Sequence, residues 1–183
     1  MLRAGNWQVT VALRDGHQVI GIWPGLKERV AGVAIDVGST TMSAHLCDMV
    51  TGDVLASTGA MNPQIRFGED LMSRVSYGIM NPGGHLEMTT AVIDGLQKLI
   101  SGAAARAGLD PEDVVEIVFV GNPVMHHLLL GIDPVELGGA PFALAVDTAV
   151  EIRASELGLG VNKGARVYVC LLYTSPSPRD TEV

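Results

Sequence analysis

The fold of this chain is decided by residues 34–44, which read AIDVGSTTMSA. A short apolar run ends at Asp36, and two residues later Gly38 lets the backbone turn sharply and a ligand approach closely. Three hydroxyl residues follow in succession: Ser39, Thr40 and Thr41. The backbone N–H groups of such a turn can form a concavity that binds phosphate.

The Asp-x-Gly-Ser-Thr pattern alone has two interpretations. It fits an ordinary hairpin turn, and it fits a nucleotide-binding loop equally well. In the second interpretation Asp36 holds Mg²⁺ directly or through water, because magnesium keeps most of its water shell and favours a carboxylate together with phosphates.

The neighbouring sequence places this loop in an antiparallel meander that leads into helices. Strands are predicted over 33–36, 41–47 and 54–58, with Gly38 and Gly52 near the two bends. The later predicted elements are helices from about 67 to 80, over 86–107 and over 124–130, and strands over 114–120 and 167–169. Before the meander, alternating residues on both sides of Asp15-Gly16 predict a β-hairpin over residues 6–23.

Composition excludes several classes of protein. Of 183 residues, 48% are hydrophobic and 17% charged, which excludes a disordered chain. The net charge of −8 argues against nucleic-acid and anionic-membrane partners, which need a basic surface. Two cysteines are too few for a disulfide scaffold or a four-cysteine metal site, and no apolar run is long enough to span a membrane. We therefore expect a globular cytoplasmic protein.

Three further motifs carry a resemblance to a known family. They are NPQIRFGEDLMSRV over 62–75, VGNPVMHHLLLGIDP over 120–134 and GGAPF over 138–142. The loop at 34–44 resembles the phosphate-1 loop of actin, sugar-kinase and Hsp70-type ATPases. Together the motifs resemble the ATP-dependent reductive activators of corrinoid proteins, in which an ASKHA (actin-like ATPase) domain is linked to a ferredoxin domain.

The resemblance implies an α/β fold, the ribonuclease-H-like first half of an actin/Hsp70-type ATPase domain preceded by a β-hairpin from a linker domain. Residues 1–30 are expected to end the linker domain and residues 31–170 to form the half domain. Residues 171–183, polar and proline-punctuated, are expected to be a non-native or disordered tail. Because the ferredoxin cysteines and the second half of the ATPase are missing, we expect a fragment that is itself inactive.

The resemblance also implies a function for the parent protein. Members of the family use ATP and Mg²⁺ to return Co(II) corrinoid proteins to Co(I) in methyl-transfer systems, and their ferredoxin domain carries a [2Fe–2S] cluster. The expected partner is a corrinoid protein, and a homodimer is possible. Two alternatives stay open: a sugar or acid kinase of the same fold, and a non-catalytic nucleotide-binding ASKHA module, since one fold hosts many activities.

Several polar residues of the motifs are candidates for the site. Gln64 and Glu69 are predicted to face the cleft and position the attacking water, since phosphoryl transfer depends mainly on positioning and charge neutralisation. The competing interpretation is that Glu69 and Asp70 form surface ion pairs with Arg74.

Two pairs of neighbouring residues complete the candidate set. Gly121 and Asn122 are expected near the phosphates, at a strand end and a helix N-terminus. Adjacent histidines point to different faces of a helix, so His126 and His127 are predicted to be one packed and one solvent-facing residue.

Overall fold

A six-stranded mixed sheet forms the centre of the computed structural model, which describes residues 2–172. The strand order is β5-β4-β3-β6-β8-β7. The strands are β3 (Ala31–Val37), β4 (Thr41–Asp48), β5 (Val54–Met61), β6 (Val114–Gly121), β7 (Val150–Arg153) and β8 (Arg166–Leu171). Strands β3, β4 and β5 pair antiparallel, whereas β6 is parallel to both β3 and β8.

This topology confirms the predicted α/β, ribonuclease-H-like fold of half an actin-like domain. An antiparallel three-strand meander continues through helices into parallel strands, and β3 lies at the centre of the sheet. The strand β7 was not predicted. It is only four residues long and pairs with β8 at the sheet edge, so its alternation is too short to be recognised in the sequence.

The helices pack on one face of the sheet. They are α1 (Leu71–Met80), α2 (Gly84–Ala107) and α3 (Pro123–Leu129), with 3₁₀ turns at Pro63–Phe67, Pro111–Asp113 and Val135–Gly138. Alternate residues of the central strands, such as Ile35 and Leu46, pack with α2 residues such as Leu96 and Ile100 into a single core. The helix α2 is capped by Gly108 in the left-handed conformation (φ 68°), directly after the predicted helical range 86–107, because glycine adopts this conformation without a Cβ clash.

The predicted hairpin at the start of the chain is confirmed as β1 (Val9–Arg14) and β2 (Gln18–Pro24). It is a separate two-stranded sheet that packs on the larger one through Ile20, Trp23 and Val115. The face that carries Val9, Val11 and Leu13 is exposed. The hairpin side chains that are buried against the larger sheet therefore belong to β2, whereas the alternating apolar residues of β1 face solvent.

The helical spacing of Leu71, Met72, Val75 and Ile79 predicts that these residues form the buried stripe of α1, and this prediction is wrong in two places. Met72 and Ile79 are exposed, whereas Arg74 is fully buried beside Val75. Since helix periodicity shows only which residues share a face, a long charged side chain on the buried face was assigned to the surface.

The carboxyl-terminal end of the described chain lies in the sheet. Leu171 pairs with Gly121, so β8 includes the first residue of the predicted tail. Residues 173–183, which hold the rest of the predicted tail, lie outside the described residues. Within residues 2–172, no helix combines the length and apolar character needed to cross a bilayer.

Candidate phosphate-loop site

The candidate site lies where the carboxyl ends of the parallel strands meet. In the sheet register Val37 of β3 is beside Gly121 of β6, and Gly121 is beside Leu171 of β8. The predicted loop at 38–40 and the Gly121-Asn122 turn therefore share one sheet edge. Open α/β sheets bind ligands outside the carboxyl ends of their strands.

The carboxylate of Asp36 is on the open face of the sheet, opposite the helices. Its neighbours in the register are Ser43 on β4 and Val120 on β6. The residue is exposed, and it forms no ion pair with any residue among 2–172. Its predicted role in holding Mg²⁺ stays a prediction.

The loop at 38–40 is held from beneath by two side chains. Asn62 donates from Nδ2 to the Gly38 carbonyl (2.8 Å) and from its backbone N–H to the Thr40 carbonyl (2.8 Å). Arg74 donates from Nη2 to the Ser39 carbonyl. All three carbonyls are thus engaged, while the backbone N–H groups of Ser39 and Thr40 donate to no residue that the structure describes.

The structure corrects the expectation that Gln64 faces a cleft. Gln64 is fully buried under the loop, where its Nε2 donates to the Met88 carbonyl (3.0 Å). Its Oε1 accepts a hydrogen bond from Nη1 of Arg74 (3.3 Å). Both ends of the amide are therefore used inside the protein, and Gln64 supports Arg74 rather than reaching solvent.

Glu69 is exposed in the turn before α1, so its catalytic role remains a prediction. Asp70 caps α1: its Oδ1 accepts from the N–H (2.7 Å) and the hydroxyl (2.6 Å) of Ser73, and the hydroxyl contact in particular lowers the pKa of Asp70. Arg74 points inward and has no carboxylate within 4 Å among the described residues. The predicted surface ion pairs with Glu69 and Asp70 are therefore wrong.

Gly121 and Asn122 form the turn between β6 and α3. A Cβ on Gly121 would lie 3.0 Å from the Phe119 ring and 3.1 Å from Cβ of Met125, so glycine allows α3 to pack closely. Asn122 caps α3, since its Oδ1 accepts from the Met125 N–H (3.0 Å). The Asn122 side chain is half-buried, and its predicted contact with phosphate remains a prediction.

Both histidines of α3 are buried, so the predicted solvent-facing histidine is wrong. His127 is satisfied as a neutral ring: its Nδ1 donates to the Pro123 carbonyl (2.8 Å) and its Nε2 accepts from the Ala145 N–H (3.1 Å). Neither ring nitrogen of His126 has a hydrogen-bond partner among the described residues. Burial lowers the pKa of both rings.

The cysteines of this chain do not fit an iron–sulfur cluster. Cys47 lies on β4 and Cys170 on β8, with β3 and β6 between them, so three strand spacings of about 5 Å separate them. Within residues 2–172, no group of three or more His, Cys, Asp or Glu side chains is placed to hold a metal ion. A single carboxylate such as Asp36 suits Mg²⁺ only together with ligand phosphates.

A cavity of about 420 Å³ lies away from the loop, between β5 and α2. Its walls include Thr58, Gly95 and Gly102, and none of the predicted site residues line it. The candidate site is instead an open edge of the sheet.

Asn62 and Arg74 were missed as site residues by sequence reasoning. A signal for Arg74 was present, because it shares a helical face with the partly buried Leu71 and Gly78, three residues before it and four residues after it. The signal for Asn62 was only its position before a proline. Neither pattern shows that the two side chains converge on one loop.

The fold and its loop define the class of this protein: an α/β half of an actin-like domain, with a glycine turn between its first two strands. Family models agree. The RACo middle region matches residues 31–175, and the RACo linker region matches residues 1–29. The chain belongs to the RACo family, which confirms the resemblance seen in its motifs.

Individual relatives give the same result. The chain is 30% identical over 161 residues to the corrinoid activation enzyme RamQ of Eubacterium limosum, covering 86% of this chain. It is also similar to the solved structure of a reductive activator for corrinoid, iron-sulfur protein, with a TM-score of 0.79, 34% identity and 92% of this chain covered. The chain spans 27% of the length of each of these relatives.

Proposed function

We propose that this chain is part of an ATP-dependent reductive activator that restores Co(II) corrinoid proteins to Co(I) in methyl-transfer systems. The observation that carries the proposal is the loop at 38–40. Two backbone N–H groups there have no partner among the described residues. The exposed carboxylate of Asp36 lies near the end of β3, just before this loop. Membership of the RACo family supports a corrinoid protein as the partner.

In this proposal each part of the loop has one task. The N–H groups of Ser39 and Thr40 bind phosphate oxygens, and the hydroxyl of Thr41 lines the same turn. Asp36 orients the water shell of Mg²⁺, which neutralises phosphate charge when it is bound. Gly121 and Asn122 border the phosphates from β6, and Glu69 orients the attacking water.

Electron transfer is assigned to other parts of the parent protein. The two cysteines of this chain cannot hold a [2Fe–2S] cluster, so no step of cobalt reduction is assigned to residues 2–172. The role of this chain is to bind the nucleotide whose hydrolysis drives the reduction.

The proposal is tested with the full-length protein that contains this chain. ATP hydrolysis is measured with and without a Co(II) corrinoid protein, and Co(I) formation is followed by its visible absorption. Stimulated hydrolysis together with Co(I) formation is expected. Phosphorylation of a sugar or carboxylic acid would instead establish a kinase, and nucleotide binding without turnover would establish a binding module.

The assignment of Asp36 has its own test in the same protein. Asp36→Asn keeps the size of the side chain but removes its charge, so Mg²⁺-dependent ATP turnover is expected to fall at least about 100-fold. The matched control is Asp53→Asn, because Asp53 is also exposed but lies in the turn at the other end of the meander. Wild-type turnover in Asp36→Asn would refute the magnesium role.

Location and assembly complete the proposal. We propose that the protein acts in the cytoplasm, where two unpaired cysteines stay reduced, and that it binds neither nucleic acid nor membrane. The proposed homodimer is tested by light scattering of the full-length protein after size-exclusion chromatography, and a single monomeric mass would reject it.

A further inference from the structure

The buried guanidinium of Arg74 is the most unusual group in the described residues. Its exposed fraction is 0%, although it carries a full charge. It donates from Nε to the Gly68 carbonyl (3.0 Å) and from Nη1 to Oε1 of Gln64 (3.3 Å), and its Nη1 also lies 3.2 Å from Sδ of Met125. The remaining contact is Nη2 to the Ser39 carbonyl.

None of these acceptors carries a negative charge. A buried charge is normally paired with an opposite one, because carbonyl dipoles compensate only part of its lost hydration. Burial lowers the pKa of Arg74, but an arginine stays protonated in proteins. A positive charge with no described carboxylate within 4 Å therefore lies directly beneath the loop, and Asp70 attracts it only from a longer distance.

The same contacts set the direction of the loop peptides. In a trans peptide the C=O and the following N–H point in opposite directions. The Gly38 and Thr40 carbonyls are drawn toward Asn62 and the Ser39 carbonyl toward Arg74, all from the protein side. The N–H groups of Ser39 and Thr40 consequently point away from these donors, toward the open edge of the sheet.

We propose that Arg74 is the positioning residue of the phosphate loop. Its hydrogen bond to the Ser39 carbonyl fixes the N–H of Thr40 toward the ligand. Its charge, which has no carboxylate in direct contact among the described residues, makes the loop favour a polyphosphate anion over a neutral ligand. This inference rests on the proposed nucleotide-binding function and assigns the selectivity for phosphate to a residue that never touches the nucleotide.

The two parts of the role are separable by substitution. Arg74→Lys keeps the charge but loses the planar fork that reaches several acceptors at once. Arg74→Gln removes the charge while keeping a hydrogen-bond donor. The control is Arg66→Gln, because Arg66 is an exposed arginine that lies over the ring of Phe67, outside the loop contacts.

The experiment measures the affinities of adenosine, MgADP and MgATP for the full-length protein by titration calorimetry. For Arg74→Gln we expect losses of roughly 100-fold for MgATP and MgADP, with adenosine changed less than about twofold. For Arg74→Lys we expect losses of roughly tenfold for both nucleotides, and Arg66→Gln should match the wild type.

Each outcome has a distinct meaning. Equal losses for adenosine and both nucleotides would show that Arg74 only maintains the fold, and unchanged affinities would also overturn the proposal. Circular dichroism checks that each variant is folded. If Arg74→Gln does not fold, Arg74→Lys tests the proposal instead: a loss of affinity for both nucleotides but not for adenosine supports it, and any other result overturns it. If the wild type binds no nucleotide, the proposed function fails, and this result is distinguishable from failure of the Arg74 role alone.

Discussion

At the residue scale, the support of the loop at 38–40 depends on close contacts that leave no room for a larger side chain at Gly68. Gly68 precedes α1 and offers its carbonyl to Nε of Arg74. A Cβ on Gly68 would lie 2.6 Å from Cβ of Ser73 and 2.8 Å from the backbone nitrogen of Arg74. These atoms belong to the first turn of α1 and cannot move aside without displacing the helix start.

We therefore expect Gly68→Ala to lower the free energy of unfolding by about 1–3 kcal/mol through overpacking. Gly139→Ala is the control, because its added Cβ meets nothing within 4 Å and its φ of −147° suits any residue. Urea unfolding of the chain at low micromolar concentration measures the stability of both variants. Equal midpoints for the two variants would contradict the contact at Gly68.

At the scale of elements, α3 is unusual because six consecutive residues, 124–129, are buried. The helix lies between α2 and β8, so neither side of it meets water. Burial therefore lowers the pKa of both histidines and favours their neutral forms in the folded chain. The ring of His126 is enclosed without a hydrogen-bond partner, whereas that of His127 has two.

The histidines predict a loss of stability in mild acid. Burial lowers their folded pKa below the unfolded value of about 6.5, so the unfolded chain binds more protons in the interval below that value. The free energy of unfolding is therefore expected to be highest above pH 6.5 and to fall as the pH decreases. Urea midpoints between pH 7.5 and pH 5.5 measure this slope.

A substitution tests whether His126 causes this pH dependence of the free energy of unfolding. We expect His126→Leu to make the pH dependence shallower and to keep or raise stability by about 1 kcal/mol at pH 7.5, because it removes two unpaired polar atoms. The exposed His17 provides the control variant His17→Gln, which should leave the slope unchanged. An unchanged slope in His126→Leu would exclude His126 as the source.

At the scale of the whole molecule, the amino-terminal hairpin is a separate sheet held to the larger one by few contacts. Trp23 is 8% exposed at the centre of that junction. Two ion pairs flank it: Arg14 Nη1 to Glu151 Oε1 (2.5 Å) and Lys27 Nζ to Asp113 Oδ2 (2.6 Å). Partly exposed ion pairs contribute little to stability. The apolar contacts of Trp23 therefore contribute most of the free energy that holds the hairpin against the larger sheet.

We expect Trp23→Ala to release the hairpin. The substitution removes a large buried side chain, at a cost of about 3 kcal/mol, so backbone amides of β1 and β2 should exchange with solvent at least about tenfold faster. The control is Trp7→Ala, since Trp7 is 70% exposed. Hydrogen exchange followed by mass spectrometry distinguishes the variants, and equal protection in both would show that the hairpin is held elsewhere.

Local patterns were sufficient to predict most of the fold. The hairpin, the three-strand meander, the long helix over 86–107 and the strand over 114–120 were each predicted from short-range periodicity and turn residues, which are visible in the chain itself. The Asp-x-Gly-Ser-Thr loop was also located from its own residues. The family resemblance rested on three motifs in order and needed no coordinates.

The tertiary structure alone decided which side chains lie beneath that loop. Asn62 and Arg74 are distant in sequence from Gly38 and Ser39, and they meet these residues only because α1 and the turn before it pack under the loop that follows β3. Tertiary packing also buried Gln64 and the histidine of α3 that was expected to face solvent. Periodicity reports which residues share a face, but burial depends on which face another element covers, and that is a property of the assembled chain.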